Sequence, residues 1–464
     1  MSTSAYSDYE IIAEIETLKV DTNTFWLLFG ASLVFFMQSG FAFLEVGCVQ
    51  QKNAKSILLV NIIDASLSAL MWWGLGYGIA MGSDTYEETG YNGFIGRDGY
   101  FLTGKFRGTD ASGYDWGMWL FQWAFAATTA TIVNGAVVER VCFGAYIIYS
   151  ICLTGFIYPL IVHWGWSAGG WASAWREDKL LLGCGIIDFA GSGVIHTTGG
   201  VAALLGAYMI GPRKGRFSAT GEVCEIPQLS WVYQTLGTLF LWFGWFGFNG
   251  VSSMYAAGGS LAGARAMVNT TISGGAGCIS GLIVARFVHG YIDPASANNG
   301  LLGGLVAITA GCGTSNPEGA FVTGLIAGAI YVGASVLMLK LRIDDVVDAA
   351  PVHLFCGSWG FLAAGLFAAE DNYSVAFYSD RADKCCGAFY GCGGKQFGAN
   401  FIFLLVIIGF TSVCSVIMYT FARYTTGFRV PPDQEDAGMD QSKHGGISDY
   451  AIAEGIKMQT GASA

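Results

Sequence analysis

Charge is what this chain has least of. Asp, Glu, Lys and Arg make up 12% of its 464 residues, about half of the ~25% usual in soluble globular proteins. So few ionic groups cannot coat a soluble surface, and 53% hydrophobic residues exclude a disordered chain. Basic residues are outnumbered, 23 Lys and Arg against 34 Asp and Glu, for a net charge of −11. No basic face is left for a phosphate backbone, so nucleic acid is excluded as a partner. Proline is scarce, at 8 residues, which leaves apolar stretches free to run as long helices. Neither a His-Glu-x-x-His pattern nor a strand-turn-helix nucleophile elbow is found. The chain is therefore not expected to be an enzyme, and no cofactor or metal is expected.

Apolar runs, by contrast, are abundant, and mean hydropathy is +0.49. A spanning helix needs about 20 mostly apolar residues. Eleven such runs are predicted, near 25–48, 57–81, 117–138, 141–164, 190–211, 231–251, 266–288, 299–313, 318–340, 352–369 and 400–423. The eighth is short and rich in Gly, a pattern suited to the inside of a bundle. The fold class expected is an all-α polytopic membrane protein in a lipid bilayer. Three regions follow: an extracellular N-terminal segment 1–24, a transmembrane domain 25–424 and a cytoplasmic tail 425–464. The acidic residues Asp8, Glu10, Glu14, Glu16 and Asp21 are unlike the basic start of a signal peptide. Lys52, Lys55, Arg140, Arg213, Lys214, Arg216, Arg286, Lys340, Arg342, Arg423 and Arg429 fall in one alternate set of loops, which puts those loops and the C-terminus inside and the N-terminus outside.

Of the 12 cysteines, Cys48, Cys142, Cys152, Cys278, Cys312, Cys356 and Cys414 lie in or beside spans as small hydrophobes. Cys224 falls in an inside loop and should stay reduced. Cys184, Cys385, Cys386 and Cys392 fall in outside loops, where they are free either to pair or to remain thiols. Their spacing does not match a structural zinc site. Asn372-Tyr-Ser is a sequon in the same outer loop.

Ionisable groups inside spans are costly and point to function. His196 lies in the fifth span and His353 opens the tenth, each with an acid upstream, Asp188 and Asp348. Two such segments five spans apart are what a five-plus-five inverted repeat gives, with a site between its halves. Helix capping is the first role expected of both Asp residues. Aromatic clusters gather near span ends: Phe121-Gln122-Trp-Ala-Phe125, His163-Trp-Gly-Trp166-Ser, and Gly244-Trp245-Phe-Gly-Phe248-Asn-Gly-Val-Ser252. Interfacial anchoring alone accounts for such clusters, but the glycines beside them let rings point inward.

In order, His163-Trp-Gly-Trp166-Ser, Asp188-Phe-Ala-Gly with His196, Gly244-Trp-Phe-Gly-Phe-Asn, the Gly-rich run from Asn299 to Cys312, and Asp348 with His353 resemble the Amt/Mep/Rh ammonium transporters. The tail from Ala437 through Ser442 to Gly446 is similar to that of the plant-type branch, and the likeness runs from about residue 25 to 450. The resemblance implies the eleven-helix ammonium-transporter fold, a homotrimer in the plasma membrane, and one narrow pore per protomer for ammonium or ammonia, with methylammonium as analogue. It implies recruitment of the cation by Phe125, Trp166 and Ser252, a gate of stacked Phe125 and Phe248, and a pore lined by His196 and His353. Gln122 and Trp245 are the supporting neighbours it implies. It also implies a tail seated on a neighbouring protomer. Ser442 stands where the branch carries a phosphorylatable Thr, so a kinase is a candidate partner. The alternative reading is an ammonium sensor that uses the same site and signals through a partner; a gas or urea channel is the nearest rival within transport.

Overall fold

The computed structural model of the chain describes residues 8–86 and 90–445; Gly446 and the rest of the tail lie outside the described residues, as do residues 1–7 of the N-terminal segment. The helices that build the body are α1 (Asp8–Cys48), α2 (Gln51–Met81), α3 (Gly113–Val137), α4 (Phe143–Trp166), α5 (Ser192–Ile210), α6 (Trp231–Trp245), α7 (Ser260–His289), α8 (Pro294–Ile308), α9 (Pro317–Lys340), α10 (Ala350–Phe367) and α11 (Lys395–Thr425). A helical segment thus stands at every predicted interval. Among the described residues, α1, α2, α4, α5, α7, α9, α10 and α11 are the eight long and apolar enough to cross a membrane. The 15-residue α8 is buried from Asn298 to Ile308, the interior place its short Gly-rich pattern predicts. A two-residue hairpin, Thr85–Tyr86 against Gly90–Tyr91, is a minor addition to the all-helical body.

The largest departure from the expected boundaries is at the start. Rather than a separate segment ending at residue 24, α1 runs unbroken from Asp8 through the first span. Nothing in 8–29 breaks a helix, and Asp8 and Glu10 in the first turn meet the positive end of its dipole. Hydropathy registers where apolar residues begin, not where a helix does.

Local chemistry sets several other starts. Ser112 and Asp115 form a reciprocal capping box at α3, Asp293 caps α8 ahead of Pro294, and Ser230 caps α6. α7 and α8 approach backbone to backbone: a Cβ on Gly277 would lie 2.9 Å from Gly304 Cα, so only glycine fits.

The two faces of the bundle differ. On one, Cys184 pairs with Cys385 and Cys386 with Cys392, which resolves the choice left open by sequence. The Asn372 amide of the sequon is buried and donates to Asn316 Oδ1 at 2.8 Å, so it is not presented to solvent. The opposite face carries the tail, including α12 (Pro432–Ala437) and α13 (Met439–Lys443). There Arg213 pairs with Asp344 at 2.8 Å and with Glu139 at 2.5 Å, all buried. Burial alone would raise the Asp344 carboxyl, but the bonds and charge of Arg213 outweigh it and hold it down at about 2.

The tail rests on loops of its own chain. Lys52 donates to the carbonyls of Glu435 and Asp436, Lys214 pairs with Asp436, Asp440 accepts from the Lys55 and Ser56 N–H groups, and Arg429 pairs with Glu435.

Candidate functional site: an aromatic cage above paired histidines

A cavity of about 320 Å³ opens on the disulfide-bearing face, lined by Gln122, Phe125, Trp166, Asp188 and Ser252 among others. Trp166 closes the last turn of α4, and its indole N–H donates to Asp188 O at 2.8 Å, which fixes the ring over the cavity. Ser252 follows α6 and donates its hydroxyl proton to Phe248 O at 2.7 Å. Its oxygen lone pairs remain available as acceptors. The Gln122 Oε1 has no hydrogen-bond partner among the described residues. Ring faces and oxygen acceptors together suit a small cation that donates hydrogen bonds.

Phe125 and Phe248 form the floor, with ring centroids 4.4 Å apart at 79°. This stacked pair is an edge-to-face contact, because the positive rim of one ring favours the negative face of the other. Phe248 in turn lies 5.5 Å from the His196 ring, which is 5.1 Å from that of His353. The two His Nδ1 atoms are 3.1 Å apart, so one donates and the other accepts. Trp245 stacks on His196 at 5.3 Å and 15°, and its N–H bonds Thr309 Oγ1 at 2.9 Å. All the aromatic and His residues expected of the site therefore come together in one column.

Both histidines sit in π-helical turns, Ser192–Thr197 at the start of α5 and Ala350–Phe355 at the start of α10. The wider turn displaces side chains from the ordinary helical face, a device common at functional sites. Asp188 caps its turn as expected, accepting from the N–H groups of Gly191, Gly193 and Val194. Asp348 does not cap. It has φ of 59° and turns away to accept from Tyr331 and Ser335 of α9; Asp345 takes the cap instead, accepting from Ala350 N at 2.7 Å. Burial, with the nearby charge of Asp348, pushes the Asp345 carboxyl up to about 7.

Sequence reasoning passed over two buried acids. Glu45 accepts from Asn61 and Asn134, and Asp64 from Ser150 and Thr131. The signal was available, since both are carboxylates inside apolar runs. Similarly, His163 belongs in sequence to an aromatic motif, yet in the fold it is buried against Asp84 at 3.3 Å. Ser442, far from the column, is half-buried in α13 and donates to Gly438 O at 2.5 Å.

The family model described as Ammonium Transporter Family matches residues 25–450. The chain belongs to the ammonium transporter family. Among its relatives in that family, ammonium transporter 1 member 3 of Solanum lycopersicum is 39% identical over 443 residues, 93% of this chain and 94% of the relative. Ammonium transporter 1 member 1 of Oryza sativa subsp. japonica is 41% identical, over 87% of this chain and 80% of the relative. A solved structure described as Sensor Amt Protein matches with a TM-score of 0.81 at 31% identity, covering 92% of this chain and 99% of that one. Candida albicans Mep2 matches with a TM-score of 0.77 at 25% identity, over 89% and 87%.

Proposed function

We propose that the protein transports ammonium: the cation is held in the aromatic cage, gives up a proton near the Phe125–Phe248 floor, and crosses as ammonia past His196 and His353. The observation that carries this reading is the unbroken column from Trp166 through Phe125, Phe248 and His196 to His353. A bare cation in so apolar a passage faces a cost of several kcal/mol even after relaxation, whereas neutral ammonia avoids most of it. Potassium carries the same charge but has no proton to donate or lose, so the cage and the dry column together select against it.

The wider reading is an integral plasma-membrane protein of eleven spans related by a five-plus-five repeat, assembled as a homotrimer, with the cage outside and the tail inside. The acid-then-π-turn pattern at both His segments supports the repeat. A kinase acting on Ser442 would place close to two negative charges beside Lys443 and break the short bond to Gly438. The sensor reading has less support, because the curated relatives are named transporters and the tail described to residue 445 holds two short helices.

The test is to replace His196 and His353 separately with Ala and measure labelled methylammonium uptake in cells lacking their own ammonium uptake. Each variant is expected to lose rate or selectivity. Full rate and selectivity in both would remove the column from the mechanism.

A further inference from the structure

Below His353 the column continues into a second, much smaller cavity of about 20 Å³, lined by Phe41, Glu45, Thr131, Asn299 and His353 among others. A polar space needs about 10–15 Å³ by this measure to hold one water-sized molecule, so one ammonia or water fits. Phe41 and Glu45 are one turn apart on α1 and share a face, and the Phe41 ring stands 6.5 Å from that of His353. Glu45 is therefore placed one helical turn beyond the last ring of the column.

The hydrogen bonding of Glu45 is one-sided. Asn61 Nδ2 at 2.8 Å and Asn134 Nδ2 at 2.9 Å both donate to Oε2, while Oε1 receives no hydrogen bond among the described residues. Asn299 across the cavity has a buried Oδ1 with no partner there either. A carboxylate kept this deep is costly unless it is used, and two amides already hold it in position with one oxygen left over.

We propose that Glu45 is the acid that returns the proton to ammonia once ammonia has passed the histidines. The proposal rests on the transport reading above. Ammonium gives its proton to His196 Nε2, which has no hydrogen-bond partner among the described residues; His196 passes its Nδ1 proton to His353 Nδ1, and His353 releases its Nε2 proton to Glu45 through one water in the small cavity, which ammonia then displaces. The O–H bond of the Glu45 carboxylic acid then breaks as the N–H bond of ammonium forms, leaving a carboxylate for the next proton. One proton and one ammonia enter, one ammonium leaves, and net charge moves with each cycle. Asn299 Oδ1 and Thr131 Oγ1 are the further acceptors the new cation meets.

The test pairs two readouts in one cell type lacking its own ammonium uptake: current under voltage clamp as ammonium is added, and uptake of labelled methylammonium. The parent is expected to show both. Glu45→Gln, isosteric but unable to give a proton, is expected to lose current by about a hundredfold, a common size for loss of a general acid, while uptake continues by neutral passage. Glu45→Asp is expected to recover part of the current. Parent-like current in Glu45→Gln overturns the proposal. So does joint loss of current and uptake in both variants at normal membrane abundance, which would make Glu45 a packing group. Parent uptake without current overturns the proposal and leaves transport standing; neither signal in the parent overturns the transport reading itself.

Discussion

α5 and α10 present their histidines by the same backbone device, a π-helical first turn, yet their starts are held by different means. At α5 a single residue, Asp188, accepts from three N–H groups of its own turn. At α10 the work is divided: Asp345 caps the turn, and Asp348 binds the neighbouring α9. The first start is self-contained and the second is tied to its surroundings. Asp344, next to that second start, also reaches Arg213, which lies just beyond the far end of α5. The two His helices are thus clamped together on the tail face through one buried ion pair.

Breaking that clamp should have the largest effect. Arg213→Met leaves buried Glu139 without its cation and Asp344 with only the longer contact to Arg216 at 3.4 Å, and removing one partner of a buried pair costs about 3–5 kcal/mol. The expected result is a large drop in melting temperature of the purified protein, with loss of methylammonium uptake. A parent-like melting curve would mean that the clamp does not hold the helices. The pH dependence has a definite sign. The Asp344 carboxyl is held down at about 2 in the fold, against an ordinary value of about 3.9. Its contribution is fully present above the ordinary value and is lost as pH falls toward 2. The difference in melting temperature between the parent and Asp344→Asn should therefore be constant from neutral pH to about 5 and shrink only in strong acid.

The sharpest contrast comes from making one substitution at two places. In Asp188→Asn an amide NH₂ replaces one of two oxygens that both face N–H donors, stranding at least one of them at about 1–3 kcal/mol. In Asp348→Asn the partners are hydroxyls, which can rotate and accept instead, and Asn tolerates the left-handed backbone there. The cost at Asp348 should be below about 1 kcal/mol. Melting temperatures of the two variants, measured side by side, check the ordering, and equal losses would erase the difference between the two starts.

The smallest effect is expected on the tail. Ser442→Asp adds a charge beside Gly438 and Lys443 without touching the column, and should change transport rate while leaving apparent affinity for methylammonium unaltered. Identical uptake in parent and variant would count against regulation through this residue.

What could be read from the sequence follows from which physics is local. Long apolar runs with few charges located the helices within a few residues, because the bilayer demands length and hydropathy that any window can register. The exception, residues 8–24 of α1, is a solvent-exposed continuation that hydropathy does not see. His196 and His353 were legible because a titratable ring in an apolar run is rare. Glu45 and Asp64 meet the same criterion, as carboxylates inside apolar runs. The roles of Asp345 and Asp348 were beyond the sequence: both precede the same turn, and only the left-handed backbone at Asp348 decides which of them faces it. The edge-on contact of Phe125 and Phe248 likewise depends on how the π-helical turn Phe246–Gly250 after α6 sets Phe248 against α3, which no local pattern encodes.

The most direct test of the central claim is saturable methylammonium accumulation in vesicles holding the purified protein, with potassium present in large excess. If the substrate is chosen by its protons and passes the histidines as a neutral molecule, potassium will neither compete nor cross in the parent, and replacing both His196 and His353 with Ala will impair uptake or admit potassium. Competition by potassium in the parent, or a double variant as fast and as selective as the parent, would contradict the account.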